Sequence, residues 1–203
     1  MATHDTDRET IDVYDTKAVE YTRLISGTRP DPQLTAFIAR LTPGARVLDL
    51  GCGPAKASAT MQAAGLLPDA VDASAAMVAA AKEHFGVAAR QGDFHDLRGP
   101  YDAIWANFSL LHMPHAGLAG YLRTLAGEIR PNGLLHIALK TGNGEARDGL
   151  GRLYSYHQPD AVAAHLTAAG FVPEPPATGS ERGLDGTMAD WFAILATRSD
   201  PES

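Results

Sequence analysis

The stretch Val47-Leu48-Asp49-Leu50-Gly51-Cys52-Gly53-Pro54 decides the fold. Its apolar first half reads as a strand, and its glycines read as a turn that leaves this strand for a helix. Glycines at such a turn let backbone approach a ligand that side chains would hold off, and the amides opening the helix offer it donors. A Gly-x-Gly pair alone says little. Three neighbours sharpen it. Asp49 stands two residues before Gly51, placing a carboxylate by the turn, a charge that a pyrophosphate site would not favour. Lys56 occupies the position where the third glycine of a dinucleotide fingerprint would fall. Asp72 ends the next expected strand, at about the offset where an acid meets a ribose hydroxyl pair. The plainer alternative is a tight strand-to-helix turn whose acids face solvent.

Outward from this turn the chain reads as strands alternating with helices. Helices are expected over 11–24, 32–41, 55–64, 75–84, 117–129 and 159–169, with Ser74 as an N-cap and Gly65, Gly133 and Gly170 as stops. Short strands are expected at 46–50, 70–72, 87–90, 101–106, 134–139, 171–172 and 191–197. They are apolar without alternation, as strands buried on both faces are. Alternating strands and helices imply a mostly parallel, doubly wound α/β sheet covered on both faces. The last two strands have no helix between them and are expected to pair antiparallel at the sheet edge. One domain over residues 1–203 is expected, with helices at about 10–41 covering the site.

Composition narrows the partners. The 203 residues carry a net charge of −7 with acids and bases interspersed, which disfavours a nucleic-acid backbone as partner. The single cysteine, Cys52, leaves no intrachain disulfide or multi-cysteine zinc site and suits a reducing compartment. Met1 to Asp5 is polar and acidic, unlike a signal peptide, and no apolar run reaches the roughly 18 residues of a membrane span. A cytoplasmic protein acting on a small molecule, away from nucleic acid and membrane, as a monomer or homodimer, is expected.

Asp-Leu-Gly-Cys-Gly-Pro at 49–54 resembles the first motif of class I S-adenosylmethionine-dependent methyltransferases. Val71-Asp72-Ala73-Ser74 with Met77 resembles the second motif, and Gln91-Gly92-Asp93-Phe94 the third. Tyr101 to Trp105 resembles the fourth, and Ile129 to Gly133 the turn before the fifth strand. The resemblance spans about Tyr14 to Phe171 and implies a Rossmann-like sheet of seven strands with S-adenosyl-L-methionine as cofactor. It implies that Asp49, Gly51, Cys52 and Gly53 lie along the methionine end and that Asp72 holds the ribose hydroxyls. Ala73 and Met77 would flank adenine, and Asp93 and Phe94 would meet its amine and ring. Asn107 and Phe108 would face the sulfonium, with Tyr14 and Tyr21 covering the cofactor from the N-terminal helix. Ala55 departs from the family, which often has glycine there; the methyl fits if the turn stays right-handed.

The acceptor side is less defined. Residues 140–157 follow the fifth expected strand and resemble a segment of a bacterial, tellurite-resistance-like branch of the same superfamily. Lys140, Arg147 and Arg152 are read as holding a small, anionic acceptor, with Tyr154 and Tyr156 as walls and glycines 142, 144, 149 and 151 as the joints of a closing loop. Alternatively this is a solvated loop whose Arg147 pairs with Asp148 or Glu145. His112 is the candidate general base, against simple packing of the loop that also holds His115. The other histidines lack metal-ligand spacing, so no metal site is expected. Trp191 roofs the pocket or belongs to the core. Two rivals remain: a nicotinamide-dependent oxidoreductase, and a non-catalytic S-adenosylmethionine-binding protein.

Overall fold

The computed structural model describes residues 7–27 and 31–200; the acidic Met1 to Asp5 stretch lies outside them. The chain opens with α1 (Arg8–Ser26), capped by the Asp7 carboxylate on the Thr10 amide, and α2 (Pro32–Ile38), capped by Asp31. Then come β1 (Arg46–Leu50), α3 (Lys56–Ala63), β2 (Leu67–Asp72), α4 (Ala75–Phe85) and β3 (Arg90–Gln91). They lead to β4 (Tyr101–Asn107), α5 (Leu118–Glu128), β5 (Ile129–Lys140), β6 (Glu145–Arg147) and β7 (Leu153–Ser155). The chain closes with α6 (Pro159–Ala168), β8 (Phe171–Pro173), β9 (Ala177–Arg182) and β10 (Met188–Arg198).

Seven strands lie in the order β3-β2-β1-β4-β5-β10-β8, and β9 pairs with the first half of β10. β3, β2, β1, β4 and β5 run parallel, while β10 is antiparallel to β5 and to β8. This is the mostly parallel, Rossmann-like sheet with its antiparallel strand near the edge. Among the described residues no helix is long and apolar enough to cross a membrane.

Alternation along the central strands divides the core. Leu48, Leu50, Ile104, Leu135 and Ile137 face one side with Leu122 and Leu125 of α5 and Leu166 of α6. Val47, Ala103, Trp105 and Leu134 face the other, against Leu34 and Phe37 of α2 and Met61 of α3. Phe37 lies 5.1 Å from Trp105, centroid to centroid, and His136 stacks on Trp105 at 3.7 Å. His136, which interrupts the apolar β5, is thus a core residue, its pKa lowered to about 3 by burial.

Several expected boundaries shift. The strand expected over 87–90 is reduced to Arg90–Gln91, and β9 was not foreseen, since its alternating exposed residues leave little apolar signal. β5 starts before the expected Pro131-Asn132-Gly133 turn: Tyr101 pairs with Ile129, and the three residues form an irregularity before pairing resumes at Ala103–Leu134. Among the described residues of the two N-terminal helices, those of α1 (Thr10, Ile11, Tyr14 and Tyr21) lie at the carboxyl ends of the central strands. α2 is drawn away because Leu34 and Phe37 bury against Trp105. The expected loop over 140–157 is instead a hairpin of β6 and β7, pairing Glu145 with Ser155 and Arg147 with Leu153.

Within this hairpin the Arg152 side chain is 2% exposed and the Asp148 side chain 4%, joined by an ion pair at 2.6 Å. Losing one partner of such a pair strands a buried charge, so Asp148→Ala is expected to cost about 3–5 kcal/mol. Replacing both residues with apolar ones of similar volume should cost less than the single change. Urea unfolding of the three proteins checks this, and an additive pair would contradict it.

Candidate functional site

A cavity of about 670 Å³, counting its open mouth, lies at the carboxyl ends of β1, β2 and β4, where ligands bind in open α/β sheets. Its floor is the turn after β1. The Gly51 and Cys52 amides both donate to the Val71 carbonyl at 2.9 Å, bending the chain sharply. Gly51 has φ +69°, and a Cβ there would stand 2.4 Å from the Ser109 Cβ, so no side chain fits. Gly53 has φ +54° and faces the Tyr21 ring. Ala55, expected in right-handed space, instead has φ +63° and is fully buried. That conformation explains why glycine suits the position: an L-residue there costs about 1–2 kcal/mol.

The wall beside the turn is the end of β2. Asp72 accepts the Gly53 amide at 2.7 Å and the Ser74 amide at 2.9 Å, one on each oxygen, and retains further acceptor capacity. Burial raises its pKa to about 6 despite those two bonds, with Asp15 adding to the rise. Ala73 and Met77 line the same wall, and Asp93 and Phe94 the end nearest β3. Phe94 is fixed by the Tyr121 hydroxyl, which donates to its carbonyl at 2.7 Å. Asn107 and Phe108 close the β4 side, and Tyr14 and Tyr21 of α1 form the roof, their rings edge to face at 5.7 Å.

Two of the expected cofactor residues stand elsewhere. Asp49 does not line the cavity: strand alternation turns it toward α3, where it is 3% exposed and accepts the Ser58 hydroxyl at 2.6 Å. Burial raises its pKa to about 7, against the pull of Ser58 and with a push from Asp72. Cys52 packs behind the turn with Ala55 and Ala70, and burial and the nearby carboxylates push its thiol well above its ordinary value.

Sequence reasoning missed Thr10, Ile11, Ser74 and Ser109 on the cavity wall. It also missed Asp15, which accepts the Ser74 hydroxyl at 2.6 Å and the Ala76 amide at 3.1 Å and so seats α1 on α4. Ser74 stands within the second motif and was read as an N-cap, which it is, with the Met77 amide donating to its hydroxyl; no motif marks the others.

His112 lines the cavity, yet both ring nitrogens are engaged. Nδ1 lies 2.6 Å from the Leu153 carbonyl and must carry the proton, so Nε2 accepts the Tyr14 hydroxyl at 2.9 Å. Arg152 in turn donates to the Tyr14 oxygen at 3.0 Å. Burial lowers the His112 pKa to about 4, so the ring is neutral near pH 7 with its basic nitrogen occupied. This corrects its expected role as general base: His112 positions Tyr14.

The three expected acceptor cations separate. Arg147 makes a two-pronged pair with Asp7 at 2.9 Å and reaches Glu9 at 3.2 Å, fastening the hairpin to the start of α1 rather than to a ligand. Arg152 is held by Asp148 and lies 5.2 Å from the Tyr14 and Tyr154 rings. Neither is a free anion site. Lys140, at the carboxyl end of β5, has its Nζ 3.9 Å above the Tyr154 ring and no carboxylate within ion-pair distance among the described residues. Burial lowers its pKa, although Asp185 opposes the shift. Tyr154 lies 4.9 Å from His112 and 6.3 Å from Tyr156, and neither tyrosine, expected as a wall, is among the described residues that line the cavity. Trp191 pairs with Lys140 across β5 and β10 and meets Phe108 edge-on at 6.1 Å. No metal-binding cluster is present among the described residues.

Residues 47–133 match a methyltransferase domain family. A trans-aconitate 2-methyltransferase of Methylobacterium nodulans is 35% identical over 149 residues, 70% of this chain and 55% of that protein. The chain spans about half the length of the curated relatives it matches. In fold it resembles the 1,6-didemethyltoxoflavin-N1-methyltransferase of Burkholderia thailandensis, whose structure holds 1,6-didemethyltoxoflavin and S-adenosylhomocysteine. The TM-score is 0.70 at 22% identity, covering 98% of this chain and 93% of that one. The cyclase SpnF is as near in shape, with a TM-score of 0.69, 18% identity and coverage of 98% and 99%. Residues 47–133 thus resemble a methyltransferase domain, and the whole chain shares its fold with proteins of differing chemistry.

Asp49 yields a pH test. Its folded pKa of about 7 lies above the ordinary 3.8, so between these values the folded state binds more protons than the unfolded one. The contribution to stability therefore falls as pH rises through that window. Asp49→Asn keeps an oxygen for the Ser58 hydroxyl and removes the buried charge. Denaturant unfolding should find the variant gaining on the wild type at pH 8 and losing that advantage toward pH 4.5. An equal difference at both pH values would refute the assignment.

Proposed function

We propose that this chain transfers a methyl group from S-adenosylmethionine to a small acceptor bearing a carboxylate or similar anion. The observation that carries the cofactor is the cavity itself. A side-chain-free turn at Gly51, the Asp72 carboxylate at the end of β2 and the Phe94 wall follow one another along the strand ends. The match to a methyltransferase domain and the S-adenosylhomocysteine in a protein of the same fold support the same reading. When bound, S-adenosylmethionine supplies a methyl group on a positively charged sulfonium. Asp72 would take the ribose hydroxyls, Asp93 and Phe94 the adenine, and Tyr14 and Tyr21 would shield the cavity from water.

The chain's residues favour positioning over proton transfer. His112 is neutral and engaged, and Tyr14 donates its proton to it, so neither offers a base to the acceptor. An acceptor that arrives as an anion needs none. Lys140 supports that choice, because an anion placed beside it would restore the stabilisation that burial removes. The trans-aconitate 2-methyltransferases among the relatives point to the same acceptor class. We further propose that the chain acts as one domain in which α1 alone roofs the cofactor.

Calorimetry should find S-adenosylhomocysteine bound and NAD not bound; the reverse would favour the oxidoreductase. Labelled cofactor offered with a panel of small carboxylates and their amides should methylate only the former. Lys140→Met should lower kcat/KM on the preferred carboxylate by about 10–100-fold, the weight of a hydrogen bond to a charge, with cofactor affinity unchanged. Unaltered kcat/KM would remove Lys140 from the acceptor site. Because His112 does not titrate near neutrality, turnover should show no inflection near pH 6.5 that disappears in His112→Asn.

A further inference from the structure

Ser109 follows Phe108 just beyond β4, at a point where the chain is unusually constrained. Phe108 has φ +56°, a left-handed conformation that L-residues avoid and that clusters at ligand sites. Ser109 itself is 6% exposed, and its Oγ has no hydrogen-bond partner among the described residues. A buried hydroxyl left unpaired is costly and uncommon, and asks what it is kept for.

Its surroundings give the answer. Ser109 lines the cavity, and a Cβ built on Gly51 would stand 3.3 Å from its Oγ, so the hydroxyl lies against the turn that floors the cavity. Neighbouring polar groups are already engaged. Thr10 bonds Asp7 and Leu153, Ser74 bonds Asp15 and Met77, and the Asn107 oxygen accepts His136 Nε2 at 3.1 Å. The strand order then orients an elongated ligand. With the base at Phe94 beside β3 and the ribose at Asp72 on β2, the remainder extends over β1 toward β4, onto Gly51 and Ser109. Among the described residues no lysine or arginine lines the cavity. A hydroxyl can accept from an ammonium and donate to a carboxylate, which suits a zwitterion.

We infer that the Ser109 hydroxyl hydrogen-bonds the amino-acid end of the cofactor, an inference that rests on S-adenosylmethionine being that cofactor. No described group of the protein bonds this hydroxyl, and the ligand would supply its partner. Ser109 therefore trades stability for affinity, as binding sites commonly do.

The test compares two ligands by titration calorimetry: S-adenosylhomocysteine, and 5′-methylthioadenosine, which keeps the base, ribose and thioether but lacks the amino-acid end. Ser109→Ala should weaken S-adenosylhomocysteine about tenfold and leave methylthioadenosine within twofold. Without ligand it should melt no lower than the wild type, because only an unpaired hydroxyl is lost. Ser109→Cys, with similar bulk and a weaker donor, should fall between the two. Equal weakening of both ligands, or unchanged binding of S-adenosylhomocysteine, would overturn the inference. A wild type that binds neither ligand would instead overturn the cofactor assignment, and this inference with it.

Discussion

At the end of β1 the backbone must turn against Ser109 with no room for a side chain, and the rest of the site is arranged around that constraint. The Val71 carbonyl takes two amides of the turn, tying β1 to β2, and Asp72 takes a third from Gly53. Ser109 braces the turn from β4. Three strand ends are thereby held in register about one bend. A bend of this kind requires backbone in left-handed space at Gly51, Gly53 and Ala55, two of which are glycines that enter it without penalty. The third stores strain in a fully buried methyl that packs with Ala70 and Ala81.

The roof is held by charge. Asp7 caps α1 and accepts Arg147, while Leu153 donates its amide to Thr10 one turn later. Behind these contacts, Arg152 and Asp148 form a nearly dry ion pair that presents a guanidinium to the Tyr14 hydroxyl. Buried pairs of this kind contribute little net stability compared with apolar residues, but they fix orientation. Here the orientation fixed is that of an aromatic ring over the cavity, with His112 accepting the phenol proton from the other side. Helix α1 and the β6–β7 hairpin are thus one unit, and a ligand entering beneath Tyr14 and Tyr21 meets a prearranged surface.

The acids beneath the roof carry the opposite logic. Asp49 and Asp72 are both pushed up by burial, and the Asp49 carboxylate feels the charge of Asp72. A protein gains nothing in stability from such groups near neutrality. A cationic ligand would, however, find there a negative field that water no longer screens, and it would favour the ionised forms.

Much of this was legible in the sequence for a physical reason. A parallel sheet demands continuous apolar strands, and a glycine turn that admits a ligand demands small residues at fixed spacing. Both are local patterns, so the sheet, the turn at 51–53 and Asp72 could be read along the chain, while the wall residues Asp93, Phe94, Asn107 and Phe108 came only from the resemblance to methyltransferase motifs. The roles of charged and polar side chains could not. Arg147 finds Asp7 across 140 positions and Arg152 finds Tyr14 across 138, and no local spacing announces either contact. Asp49 left the cavity because strand alternation faced it to Ser58, and α2 left it because Phe37 docks on Trp105. Local backbone requirements leave their mark on neighbouring residues, so the sequence by itself determined the sheet and the ligand turn. Which cation is neutralised, which hydroxyl stays unpaired and which histidine is merely held in place depend on partners brought near only by packing, and the tertiary structure alone decided them.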